Sequence, residues 1–171
     1  LIYNDIRKFG FIKFIKGINL KQNIHLKNLG PEPLSAKFNI GYFKNYIKKK
    51  KRTIKNLLMD QKFISGLGNI YVNEILFFSG INPAKKIKKL TDFDIQKIVK
   101  FSKKIISKAI ILGGSSIKDF SSSSGKKGSF QQHFSVYGKK GENCPKVRCK
   151  GKIKKIVIAN RASFFCNKCQ K

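Results

Sequence analysis

The chain of 171 residues is 41% apolar, enough to bury a real core in one ordinary domain or two small ones. Its 38 Lys and Arg against 8 Asp and Glu leave a formal charge of +30, a self-repulsion that opposes folding unless an anionic partner such as nucleic acid offsets it. No apolar run approaches the roughly 20 residues that span a bilayer and no charged-then-apolar leader opens the chain, so a soluble, cytoplasmic protein is expected.

From Ile2 to Ile18 the residues Tyr3, Phe9, Phe11, Ile12, Phe14 and Ile15 are aromatic or β-branched, with Gly10 and Gly17 as punctuation, which predicts strands. The first residue is Leu1 rather than Met, inside that strand pattern, and the natural N-terminus is expected upstream. Residues 19–33 have no clear period and close on Leu29-Gly30-Pro31-Glu32-Pro33, where the prolines forbid a continuing helix; a linker is expected. Ser35 is a candidate cap for a helix through Phe38, Tyr42 and Phe43, and a shorter helix is predicted from Thr53 through Met59. A third follows Gly66-Leu67-Gly68-Asn69, carrying Ile70, Val72, Ile75, Leu76 and Phe78 and stopping at Gly80. Thr91 and Asp94 form a capping box for a fourth, in which Ile95, Ile98, Val99, Ile105, Ile106 and Ala109 keep helical spacing until Gly113-Gly114. Residues 34–114 thus read as a helical module. Ser, Gly and Lys dominate residues 115–132, too polar to bury apolar area and therefore a mobile loop. Alternation returns at Phe134 and Val136 and again at Ile153, Ile156 and Ile158, which fits short hairpins over 133–171.

All four cysteines fall in that last segment, as Cys144-x4-Cys149 and Cys166-x2-Cys169. Two close pairs separated by a hairpin-length insert can place four thiolates at the corners of a tetrahedron, the closed geometry of a structural zinc ion. Two disulfides, disfavoured in a reducing cytosol, or four unrelated thiols are the other readings. Arg occurs only at Arg7, Arg52, Arg148 and Arg161 in a chain that otherwise uses Lys, which suggests that the planar guanidinium is needed there. For Arg52, inside Lys48-Lys49-Lys50-Lys51-Arg52, a solvated charge run reads equally well. Gly66-Leu67-Gly68-Asn69 could present backbone N–H groups and the Asn69 amide to a phosphate, although a plain connection between helices is the commoner meaning of such a turn. The basic residues before it, Lys50 to Lys55 and Lys62, strengthen the phosphate reading. Alternative origins of the charge are a ribosomal role, a membrane surface, or a coding bias toward Lys, Ile, Asn and Phe.

In order, Tyr3-Asn4-Asp5-Ile6-Arg7-Lys8-Phe9-Gly10, Leu29-Gly30-Pro31-Glu32-Pro33-Leu34, Leu58-Met59-Asp60-Gln61-Lys62, Gly66-Leu67-Gly68-Asn69-Ile70-Tyr71-Val72-Asn73-Glu74, Gly113-Gly114-Ser115-Ser116-Ile117-Lys118-Asp119-Phe120, Phe130-Gln131, Val136-Tyr137-Gly138-Lys139-Lys140-Gly141 and the cysteine hairpin ending in Cys169-Gln170-Lys171 closely resemble formamidopyrimidine-DNA glycosylases. The resemblance implies a mainly α fold with a small β zinc finger: a helix-two-turn-helix module, then a zinc β-hairpin, preceded by the last strands of a truncated β-sandwich. It implies base-excision repair by a bifunctional glycosylase and apurinic or apyrimidinic site lyase that removes oxidised purines such as 8-oxoguanine, although a sister subfamily acting on oxidised pyrimidines shares the architecture. The implied partner is double-stranded DNA with oxidised bases or abasic sites, bound by a monomer in the bacterial cytoplasm at the nucleoid, with one structural zinc on Cys144, Cys149, Cys166 and Cys169.

By the same resemblance Arg7 faces the base opposite the lesion, and Phe9 wedges the stack as the damaged nucleotide flips out. Lys50, Lys55 and Asn69 hold phosphates around it, and Arg161 grips phosphate and donates the proton of the final elimination. Residues 115–131 close over the flipped base. The chain departs from the family in spacing its first cysteines by four residues rather than two, which is expected to keep the tetrahedron and alter the loop around Arg148. The family's nucleophile, an N-terminal proline amine followed by a glutamate, is not among these residues, so they are expected to bind damaged duplex DNA without cutting it. A non-catalytic zinc-containing nucleic-acid-binding protein, ribosomal or chromatin-associated, is the alternative.

Overall fold

A computed structural model of the chain describes residues 3, 8, 10–14, 23–115 and 128–171. The strands expected over 2–18 fall mostly outside the described residues, as do Arg7 and Phe9; Tyr3, Lys8 and residues 10–14 are exposed and irregular.

Helix α1 (Ile40–Ile47) begins four residues later than the Ser35 cap predicts. Ser35 spends its hydroxyl on the Lys37 amide (3.2 Å), a local turn that competes with helix, while the Asn39 side chain accepts from the amide of Tyr42 (2.9 Å) and caps α1. Thr53 caps the short α2 (Ile54–Leu58), accepting from Asn56 at 3.3 Å. Helix α3 (Asn69–Ser79) starts at Gly68 and stops where Gly80 takes the left-handed φ of 72°. The capping box of α4 (Asp92–Ile111) forms as predicted: Thr91 Oγ accepts from the Asp94 amide at 3.1 Å, and the Asp94 carboxylate accepts from the Thr91 amide at 3.2 Å. Where the sequence suggests a linker, Gly30 lies on the turn before α3: its amide donates to Gln61 O (2.8 Å), and a Cβ there would collide with the Phe63 carbonyl.

Strands β1 (Ile153–Ile158) and β2 (Arg161–Cys166) pair antiparallel, Ile153 opposite Cys166 and Ile158 opposite Arg161. Ala159 (φ 48°) and Asn160 (φ 57°) make the tight two-residue turn, whose doubly left-handed backbone matches the twist of a hairpin.

Helix α3 joins the two halves of the structure. Val72, Ile75 and Leu76 enter a core with Phe43, Leu57, Ile98 and Ile105 of the other helices and with Phe38 and Phe63 of the turns between them, while Phe77 packs with Val136, Ile153, Phe164 and the cysteines. A helix buried on both sides must be apolar nearly all round, as this one is. Of its polar residues, Asn73 and Glu74 are each 1% exposed and face the zinc unit through hydrogen bonds. Among the described residues no helix is long and apolar enough to cross a membrane.

Candidate nucleic-acid interface and metal centre

The ligand atoms of Cys144, Cys149, Cys166 and Cys169 lie within 4.8 Å of one another. Zinc–sulfur bonds of about 2.3 Å put the corners of a regular tetrahedron about 3.8 Å apart. Cys144 and Cys169 sulfurs are separated by 3.7 Å and those of Cys149 and Cys166 by 3.6 Å, the spacing of tetrahedron edges rather than bonded sulfurs. The extra residues between Cys144 and Cys149 are absorbed by a turn in which the Cys149 amide donates to Lys146 O (3.0 Å) and Arg148 takes a left-handed φ of 63°. Burial opposes ionisation of the Cys166 thiol, but hydrogen bonds from the backbone N–H groups of Cys169 and Lys168 and from the Cys169 and Cys144 thiols bring the pKa down to about 7, while burial pushes the Cys144 and Cys169 thiols up. Gly151 is required beside this sulfur, since a Cβ would sit 2.5 Å from Cys166 Sγ. The centre holds one structural zinc ion, and with four protein ligands it leaves no open position for chemistry.

Several attachments fix the zinc unit to the helices. Glu74 Oε1 accepts from the amides of Val136 and Tyr137 (both 3.0 Å), and its Oε2 accepts from Ser135 (2.8 Å). Gln170 accepts from the Cys166 amide and donates to Ile81 O, each at 2.8 Å. The Phe164 amide donates to the Asn73 side-chain oxygen Oδ1 (2.7 Å), tying β2 to the first turns of α3.

That tie brings Lys55, Asn69 and Arg161 together. Lys55 on α2 is wholly buried, its ammonium 3.4 Å from Asn69 O. Burial first, and the charge of Arg161 second, lower its pKa to about 7. Asn69 Nδ2 donates to Ala162 O at 3.1 Å, so the side chain that the sequence offers to phosphate also anchors the hairpin. Exposed Arg161 follows the hairpin turn, and Gly68 supplies no side chain to cap α3, leaving the helix's first N–H groups for an outside acceptor. Gln61 holds the preceding turn, accepting from the Gly66 amide (2.8 Å) and donating to Leu67 O (2.9 Å). Lys50 is placed apart, at the end of α1, its ammonium 4.0 Å from the centre of the Tyr46 ring. Of the loop expected to cap a base, residues 116–127 are outside the described residues; its ends meet in a Ser115–Ser129 bridge.

Sequence reasoning did not single out Glu74, Asn73, Gln61 or Gln170. For the first two the signal was available: polar side chains interrupting an otherwise apolar helix must be paired when buried.

Fold and metal site define a zinc-finger protein built on a helix-two-turn-helix scaffold. The model of the formamidopyrimidine-DNA glycosylase H2TH domain matches residues 29–121, and that of the zinc finger found in FPG and IleRS matches 141–171. The chain belongs to the formamidopyrimidine-DNA glycosylase family. It is 44% identical over 172 residues to the formamidopyrimidine-DNA glycosylase of Haemophilus influenzae and 39% identical over 171 to that of Listeria innocua, in each case along 100% of this chain and 62% of the relative. The chain therefore spans about three fifths of the length of these relatives. The crystal structure of the Thermus thermophilus MutM (FPG) protein superposes with a TM-score of 0.80 at 35% identity, over 88% of this chain and 57% of that one. That of Lactococcus lactis Fpg with DNA containing an abasic site gives 0.76 at 40%, over 85% and 52%.

Proposed function

We propose that these residues are the DNA-gripping part of a base-excision repair enzyme, a glycosylase and abasic-site lyase that removes oxidised purines. The carrying observation is the convergence of Lys55, Asn69 and Arg161 from three elements at the N-terminus of α3. A phosphate there meets the unpaired N–H groups and dipole of the helix and the Arg161 fork, with the buried Lys55 ammonium adding its charge from beneath. Burial first and the Arg161 charge second oppose protonation of Lys55; a bound phosphate offsets the second and favours the charged lysine. Arg161, exposed at the hairpin turn, is placed in this reading to grip phosphate and to return a proton in the elimination. The zinc holds the hairpin that carries it.

The relatives support the substrate class, since structural neighbours were solved with DNA containing an abasic site and with DNA containing carbocyclic 8-oxo-G. In this reading Arg7 and Phe9 enter the duplex at the lesion, Lys50 holds a flanking phosphate, residues 115–132 cover the extruded base, and the protein acts as a monomer in the bacterial cytoplasm. The test is fluorescence anisotropy of the zinc-loaded chain with labelled duplexes, one abasic and one intact, at fixed salt. Tighter binding of the abasic duplex is expected; equal weak binding of both would leave only a non-catalytic, nonspecific nucleic-acid-binding role.

A further inference from the structure

Beyond the cluster at α3, Lys51, Arg52, Lys86 and Lys88 converge on an open cavity of about 240 Å³ beside Ile87. Backbone pairing holds them there: Thr53 and Lys86 form an antiparallel bridge, the Ile54 amide donates to Lys85 O (2.9 Å), and the Ile87 amide donates to Arg52 O (3.0 Å). Four like charges cannot drift apart as they would on free loops, and such crowding costs stability that a bound anion restores. One carboxylate, Asp60, answers them. Its Oδ2 accepts from Arg52 Nη1 at 2.7 Å and its Oδ1 from the Lys62 amide at 3.0 Å, so both oxygens are engaged and one of the four charges is offset. Arg52 has one of its five N–H groups in that pair, which fixes the guanidinium while other donors remain for a ligand.

The same Asp60 lines, with Asn56, Met59 and Arg161, the cavity between α2 and the hairpin tip. The Arg52–Asp60 pair thus joins the cradle to the cavity that Arg161 lines. We infer that the cradle of Lys51, Arg52, Lys86 and Lys88 is a second phosphate site, which takes a backbone phosphate of the duplex away from the lesion. The inference rests on the DNA-binding reading above. It gives Arg52 a task that a solvated charge run lacks, because a fork pinned by Asp60 meets a phosphate in one fixed orientation.

The experiment measures binding of the zinc-loaded chain to an intact duplex between 50 and 300 mM salt. In Lys86→Gln/Lys88→Gln, both exposed positions, the slope of log K against log salt should shrink by about 0.9, the value for one neutralised phosphate. The exposed pair Lys100→Gln/Lys104→Gln on α4 removes the same charge and should leave the slope unchanged. An unchanged slope in the cradle variant, or an equal fall in the α4 variant, overturns the site and leaves the wider reading standing. Failure of the unaltered chain to bind duplex at all overturns that wider reading instead. Titration of inorganic phosphate, followed at the amides of Arg52, Lys86, Ile87 and Lys88, then decides the site alone: shifts that vanish in the cradle variant support it, and their absence refutes it.

Discussion

Replacing Glu74 by Gln should uncouple the zinc unit from the helices while changing the side chain's shape very little. The carboxylate accepts three amides, at 2.8, 3.0 and 3.0 Å, from consecutive residues Ser135, Val136 and Tyr137, and is 1% exposed. Gln can keep its oxygen on the Val136 and Tyr137 pair, but its NH2 then faces the Ser135 N–H, donor against donor. A hydrogen bond to a charged group contributes about 1.5–3 kcal/mol, and a buried donor left unmade costs about 1–3 kcal/mol. Loss of charge on two bonds and of the third altogether therefore amounts to about 3 kcal/mol. Urea unfolding of the zinc-saturated protein, followed by circular dichroism because the chain has no Trp, reads this directly. With a slope of about 2 kcal/mol per molar urea, the midpoint should fall by about 1.5 M. Hydrogen exchange at the amides of Ser135, Val136 and Tyr137 should accelerate together. A midpoint loss below about 0.3 M would refute the claim that this carboxylate carries the junction.

Lys55 gives a pH dependence. The unfolded chain keeps this proton to about 10.5 whereas the folded chain releases it near 7, so unfolding takes up a proton between those values and stability should rise with pH across that window. Lys55→Met should flatten the rise, as parallel denaturation series at pH 7 and 9.5 would show; equal gains in both proteins would remove Lys55 as its source. Gly151→Ala pushes a methyl into Cys166 Sγ and should weaken zinc at least tenfold in chelator competition, with unaltered affinity counting against the close approach. Arg161→Lys keeps the charge but loses the fork, and should weaken duplex binding several-fold at matched salt; equal affinities would contradict the role of the guanidinium.

The helical module was largely legible because its determinants are local. Thr53, Thr91 with Asp94, and Gly80 mark ends through bonds that span four residues or fewer. Where two local options competed, at Ser35 and Asn39, the sequence pointed to the wrong cap, since either side chain can hold an amide two or three residues on. The cysteine tetrad was legible from spacing and composition, and zinc chemistry leaves few alternatives. What the sequence concealed is long-range. Asn69 reads as a phosphate donor but also reaches Ala162, 93 residues away, and Glu74 finds its partners 61 to 63 residues later. The resemblance offers Lys55 to phosphate but says nothing of its burial; only the packing of α2, α3 and β2 shows it buried with its proton destabilised.

One measurement tests the account's centre: affinity for an abasic duplex with the zinc in place and after its removal by a chelator, at one salt concentration. If the metal positions Arg161 against DNA gripped by Lys55 and α3, removal should cost at least tenfold, and restoring zinc should recover it. Unchanged affinity in a chain whose hairpin has demonstrably unfolded would contradict the account.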